Sequence, residues 1–345
     1  MTAFPKTSKN LSRRGFIGAS ALAPAALMLQ AGEAHAAANT RAQLAAVHSG
    51  SPAHQLLYKT DEFFIAHRGA GNISPEHTAY AYAESVRRGA LAVEISVRTT
   101  SDGQFVCMHD TNIKRTTGAS MDVRGHTLAE LRQHKVDMRQ NLGEKTGLYD
   151  IPTLEEAIAA VDAVPAGGEY ASVGGKKVVL FLEAKDGPAQ AGLVKFITER
   201  GLQRRTVIKM YRDGSGGFKP TSRYLKLANS AGCATWCYFD GGDPIDKISA
   251  MARHENVDAI GVPYYEKPTG ASQGSMSEEN VRALTGLGKA VIVWEIHRRS
   301  AYEKYKALGV KGFMCPDPYW VIGDPFDASV KIKTGQRPHG MLPAD

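Results

Sequence analysis

Short apolar runs separated by helix-like segments recur through most of this 345-residue chain, and that alternation constrains its fold more than any other feature. The strand candidates are Phe63–Arg68, Leu91–Val97, Phe105–His109, Val178–Lys185, Thr206–Tyr211, Ala234–Phe239, Ala259–Val262, Ala290–Ile296 and Gly312–Cys315. Many of them are apolar without alternation, the pattern of parallel strands buried on both faces. Helix signals lie between them. Ser74 as N-cap with Pro75 behind it opens a helix over Thr78–Arg88, and Gly89 closes it. "TLAE" at Thr127 and "TLEE" at Thr153 fit capping boxes with Glu130 and Glu156. Strand–helix units of this length predict a (β/α)8 barrel, with a doubly wound sheet as the alternative.

Nine strand candidates are one more than such a barrel uses. Only "RTTSDGQ" separates Val97 from Phe105, too little for a parallel crossover, so residues 92–110 are expected to form a hairpin turning at Asp102-Gly103. That register sets Glu94 across from residues near Thr111 and draws His109 towards Glu94 and Ser96.

The two ends stand outside this pattern. Residues 1–36 carry Lys6, Lys9 and the pair Arg13-Arg14, then a mild apolar run ending in "AHA" at Ala36. This reads as a twin-arginine (Tat) export signal that engages the Tat translocase, which predicts a periplasmic or secreted protein. The run is Ala-rich, contains Pro24 and is short for a membrane span, so no stable span is expected. Residues 37–61 form a lead-in, 62–325 the barrel and 326–345 a tail. Without the leader's four basic residues and one acid (Glu33), the net charge of +7 falls by three to +4. That balance, with no Lys/Arg run, argues against nucleic acid and suits a small anionic substrate. Cys107, Cys233, Cys237 and Cys315 show no zinc spacing; most sit in apolar runs as small hydrophobes, and their disulfide status is left open.

Working groups in an α/β barrel gather where strands end at the C-terminal face. There the chain places His67, Arg68, Glu94, His109, Asp110, Glu183, Lys185, Glu295, His297 and Asp317. Glu94 and Ser96 share a face, as do Glu183 and Lys185. Two imidazoles suit acid–base work on a phosphodiester, Arg68 and Lys185 suit its phosphate, and Glu94 and Glu183 are hard oxygen ligands for Ca²⁺ or Mg²⁺. Asp110 is expected to cap its loop or hold His109, and Arg98 to pair with Glu94. Trp236, Trp294 and Trp320 read as packing aromatics. His48, His54, His126 and His134 read as solvated bystanders, and "GGKK" at Gly174–Lys177 as a plain loop.

"AHRGAGNISPEHT", "VEISVRTTSDGQFVCMHD", "RTTG", "IPTLEEAI" and "FLEAK", followed by "VIVWEI" and "GFMCPDP", occur in the order and spacing of the glycerophosphodiester phosphodiesterase family, which residues 62–320 resemble. The resemblance implies a barrel of the phospholipase C-like phosphodiesterase type that releases glycerol 3-phosphate and an alcohol with the aid of a divalent metal. His67 and His109 would be the acid–base pair, Arg68 and Lys185 the phosphate binders, and Glu94 and Glu183 metal ligands. Glu76 matches the motif acid, as an extra ligand or as the orienter of a histidine. The chain departs from the family where Ser96 replaces a metal carboxylate, His77 an asparagine and Glu295 a threonine; Glu295 is a candidate for the missing charge. Three alternatives follow: a phospholipase acting on intact lipid, a metal-independent enzyme, and a binding protein that has lost the metal.

Overall fold

Eight parallel strands close on themselves because each is short and apolar and, up to the last, is followed by a helical connection that returns the chain to the start of the next. The computed structural model describes residues 50–167, 173–187, 189–265 and 274–318. The Tat-type signal, most of the lead-in, the tail, His48 and Trp320 lie outside the described residues, as does the centre of the Val164–Lys177 loop.

The strands are β1 (Phe63–Ala66), β2 (Ala92–Thr99), β3 (Phe105–Cys107), β4 (Val179–Ala184), β5 (Thr206–Tyr211), β6 (Ala234–Tyr238), β7 (Ala259–Pro263), β8 (Ala290–Trp294) and β9 (Gly312–Cys315). The sheet runs β1-β9-β8-β7-β6-β5-β4-β2-β3, and a β1–β2 pairing closes the ring. This is the expected (β/α)8 barrel. The surplus ninth strand, β3, is the antiparallel arm of the expected hairpin, pairing Val97 with Cys107 and Thr99 with Phe105.

The hairpin turns at Asp102-Gly103, as expected. A five-residue loop closes between Thr100 N and Gln104 O at 3.0 Å, with Gly103 left-handed at φ 78°. Extending that register puts Glu94 level with Asp110, beside Thr111. The pairing stops at Cys107, so His109 leaves the strand and stands in the loop beyond it.

Among the described residues seven main helices cover the outside: α1 (Ala79–Arg87), α2 (Leu154–Asp162), α3 (Ala189–Glu199), α4 (Arg223–Ser230), α5 (Ile245–Arg253), α6 (Glu278–Thr285) and α7 (Arg299–Ala307). Both expected capping boxes form, at Thr127–Glu130 and Thr153–Glu156. The start of α1 is a correction. Its N-cap is Thr78, whose Oγ1 accepts from Ala81 N at 3.1 Å, while residues 69–77 are turns. His77 is itself left-handed, at φ 57°, which a helix begun at Pro75 would exclude. Gly69, at φ 75°, lies so close to α1 that a Cβ would meet Ala81 Cβ at 3.0 Å. Its small size therefore serves the close packing of β1's end against the helix.

Strand alternation sorts the core into two shells. Phe63, Ile65, Ala92, Val179, Phe181, Val207, Trp236, Ala259, Ala290, Ile292 and Met314 point inward from all eight barrel strands and plug the interior. The intervening residues, such as Val93, Leu180, Ile208, Cys237 and Val291, face the helices. All four cysteines are buried free thiols. None of the described helices is long and apolar enough to cross a membrane.

Candidate active site

The inward-facing positions one step above the plug change character abruptly. After Ile65 comes His67, after Ala92 Glu94, after Phe181 Glu183, after Val207 Lys209, after Trp236 Tyr238 and after Ile292 Trp294. Period-two alternation thus delivers the ionisable groups to one layer at the C-terminal mouth. His67, Glu94, Glu183 and Lys209 are all buried there.

Each catalytic candidate imidazole has a carboxylate at its Nδ1. His109 Nδ1 is 2.9 Å from Asp110 Oδ1, and His67 Nδ1 is 3.3 Å from Glu295 Oε1. Arg68 Nε donates to His67 Nε2 at 3.3 Å. A guanidinium can only donate, so Nε2 of His67 is the acceptor and Nδ1 carries the hydrogen. Burial lowers the pKa of both rings, outweighing Glu295 at His67 and Asp110 at His109. Both are neutral at pH 7, with Nε2 basic. His77 is different. Burial takes its pKa to about 3, and its Nδ1 lies 2.5 Å from the Tyr82 hydroxyl, so it is a neutral packing residue beneath the site.

Arg68 turns the chain at the end of β1 with a left-handed φ of 54°. Its backbone N–H donates to Glu94 Oε2 at 3.1 Å and its guanidinium to Glu76 Oε1 at 3.3 Å. Arg115 forks onto both oxygens of Glu76 at 2.7 Å and its Nε donates to Asp110 Oδ2 at 2.6 Å. One guanidinium therefore fixes Glu76, which holds Arg68, and Asp110, which holds His109. Asp110 plays the holding role expected of it. Arg98 does not pair with Glu94; it binds Asp186 at 2.9 Å and the His109 carbonyl at 3.0 Å, bracing the loop that carries His109.

At the centre stands Lys209. Its ammonium donates to Glu94 Oε1 at 3.2 Å and lies 2.8 Å from Glu183 Oε2, with the Trp236 and Tyr238 rings 5.5 and 5.2 Å away. Burial works against its charge, but Glu183 and Glu94 outweigh it and raise its pKa. Lys185 is 3.0 Å from the same Glu183 oxygen, and Tyr238 donates to Glu183 Oε1 at 2.7 Å. Ser96 donates its hydroxyl to Glu94 Oε1 at 2.9 Å.

The residues expected to hold a divalent ion do not converge on a place for one. Glu76 is committed to Arg68 and Arg115. Glu295 faces His67 and His297, the latter at 3.5 Å. Glu94 and Glu183 do converge, but on Lys209, and Ser96 turns its proton towards Glu94. Among the described residues no group of three or more His, Cys, Asp or Glu side chains has a geometry suited to a metal. The donor set does not fit Ca²⁺ or Mg²⁺.

Three residues of this site escape a reading of strand ends: Lys209, Arg115 and Tyr238. Lys209 lies inside a run read as core, yet counting by twos from Val207 would have turned it inward. Arg115 belongs to "RTTG", a stretch whose distance from Glu76 along the chain hides the pairing.

The profile of the Glycerophosphoryl diester phosphodiesterase family matches residues 67–208, from His67 to one residue short of Lys209. A glycerophosphodiester phosphodiesterase of Caldanaerobacter subterraneus subsp. tengcongensis is 26% identical over 264 residues, covering 75% of this chain and 95% of that protein. One from Bacillus subtilis is 35% identical over 103 residues, 27% of this chain and 34% of that protein. Among solved structures, an Oleispira antarctica phosphodiesterase in complex with the product sn-glycerol-3-phosphate superposes with a TM-score of 0.58 at 19% identity, covering 76% of this chain and 95% of that one. A Thermotoga maritima glycerophosphodiester phosphodiesterase superposes with a TM-score of 0.53 at 20% identity, over 76% of this chain and 97% of that one. Those structural likenesses bear on the barrel, and over residues 67–208 the chain is similar in sequence to the glycerophosphoryl diester phosphodiesterase family.

Proposed function

We propose that the chain hydrolyses glycerophosphodiesters to glycerol 3-phosphate and an alcohol by acid–base catalysis between His67 and His109. The observation that carries this is the symmetry of the two imidazoles. Each is held at Nδ1 by a carboxylate, Glu295 at 3.3 Å and Asp110 at 2.9 Å, which leaves Nε2 as the basic nitrogen, and Arg68 Nε donates to that of His67 at 3.3 Å.

An oxygen nucleophile, either water or a hydroxyl of the glycerol, attacks phosphorus in line as the bond to the leaving alcohol oxygen breaks. One imidazole accepts the nucleophile's proton, and the other, protonated when the anionic phosphate arrives, delivers one to the departing oxygen. Exchange with solvent restores both rings. Where the nucleophile is the glycerol hydroxyl, water then opens the cyclic phosphate by the same two transfers. Arg68 and Lys185 face the phosphate's negative charge, in a layer where partial exclusion of water strengthens their field.

Export through the Tat route would place this activity in the periplasm or outside the cell. The direct test is turnover of glycerophosphocholine by the mature protein, with bis(p-nitrophenyl) phosphate and phospholipid vesicles as comparison substrates. Release of glycerol 3-phosphate supports the reading. Turnover confined to vesicles would make the chain a phospholipase, and turnover of nothing would leave a binding protein.

A further inference from the structure

Lys209 stands where its neighbours would otherwise gather a cation. Two buried carboxylates, Glu94 and Glu183, reach the same point from β2 and β4, and β5 delivers an ammonium there at 3.2 and 2.8 Å. Two aromatic rings border it, each with its centroid less than 6 Å away, and a π face stabilises an ammonium while offering no oxygen to a metal. The charge count agrees. Glu94 and Glu183 carry two negative charges, and Lys209 and Lys185 two positive ones. A divalent ion would enter a balanced group already holding two ammonium ions, without a third carboxylate because position 96 is serine.

We infer that Lys209 is a built-in cation that takes the place of a divalent metal, so that this chain acts on phosphodiesters without one. The inference rests on the phosphodiesterase reading for its activity arm but not for its binding arm. Lys209 holds Glu94 and Glu183 in place and keeps a fixed positive charge beneath the phosphate site. Ser96 belongs to the same arrangement. Its hydroxyl donates to Glu94 at 2.9 Å, a bond that a carboxylate in its place would turn into repulsion unless a cation beyond Lys209 were bound.

Calorimetric and thermal-unfolding titrations of the EDTA-treated wild type with Ca²⁺ and Mg²⁺ supply the binding arm. The expected result is no saturable heat and no shift of the unfolding midpoint. The double variant Ser96→Asp/Lys209→Ser, with three carboxylates and the ammonium removed, is expected to gain a midpoint that rises with Ca²⁺. In the activity arm, EDTA leaves wild-type turnover of bis(p-nitrophenyl) phosphate unchanged, and Lys209→Arg, which keeps the charge, stays EDTA-resistant. Turnover by the double variant is expected to fall by more than about 10-fold when EDTA removes its ion.

Saturable ion binding by the wild type, or wild-type turnover lost to EDTA and restored by Ca²⁺ or Mg²⁺, would overturn the inference while leaving the phosphodiesterase reading intact. Absence of wild-type turnover with and without ions would instead overturn the functional reading, and the titrations alone would then decide the role of Lys209. Failure of the double variant to fold leaves the decision with the wild-type titrations and the wild-type EDTA response.

Discussion

Arg115 grips both oxygens of Glu76 at 2.7 Å while its Nε reaches Asp110 at 2.6 Å. This one side chain ties the end of β1 to the loop beyond β3, and with them the supports of Arg68 and His109. The geometry of the two halves of the site is thus shared through a guanidinium that bears neither proton nor phosphate in the proposed reaction.

Replacing Arg115 should therefore damage both stability and turnover. Arg115→Met removes the fork on the buried Glu76, and losing hydrogen bonds to a buried charged group costs about 1.5–3 kcal/mol. Arg115→Lys keeps the charge but not the fork, so it should recover part of the stability and little of the rate. Urea midpoints and kcat measured on both variants check this.

His67→Asn and His109→Asn each remove one proton carrier from a pair. Each should slow turnover by roughly 10²–10⁴-fold, with KM changed far less and the near-ultraviolet circular dichroism unaltered. Glu295→Gln keeps an acceptor for His67 Nδ1 but removes the charge that favours imidazolium, so it should show a smaller loss of kcat than His67→Asn.

Stability should depend on pH through Glu183. Burial alone would raise its pKa, but Lys185 and Lys209 outweigh burial and hold it at about 2. A carboxylate whose folded pKa is depressed stabilises the fold above its unfolded value, near 4.5, and that contribution is lost as pH falls towards 2. Urea midpoints of the wild type should fall through that window, and Glu183→Gln should flatten this part of the decline.

The four cysteines should behave as inert core residues even in an oxidising compartment. All are buried and free, and burial pushes the Cys233 thiol up to about 12, far from the thiolate form that reacts. A thiol reagent should find none in the native protein and four after denaturation.

Much of this architecture is legible in the chain because barrel strands and their ends are local signals. "FFIA" followed by His67-Arg68, and "FLEAK" with Glu183 and Lys185 two apart, state strand, face and mouth in a few residues. What escapes such a reading is pairing between distant segments. The Arg115–Glu76 fork spans 39 residues and the Lys209–Glu94 contact 115, and no local pattern announces either. Lys209 was further concealed by its apolar neighbours Val207, Ile208 and Met210. The β2–β3 hairpin shows how far a local signal reaches. Asp102-Gly103 marks a turn, but the loop that closes takes five residues, Thr100–Gln104, and the hydrogen bonds between the arms set the register.

The most direct test of the central claim is the product formed from glycerophosphocholine by the purified mature protein, followed by phosphorus NMR. A growing glycerol 3-phosphate monoester signal with release of choline is expected, abolished in His109→Asn. A phosphocholine signal, or a diester signal that never decays, would contradict it.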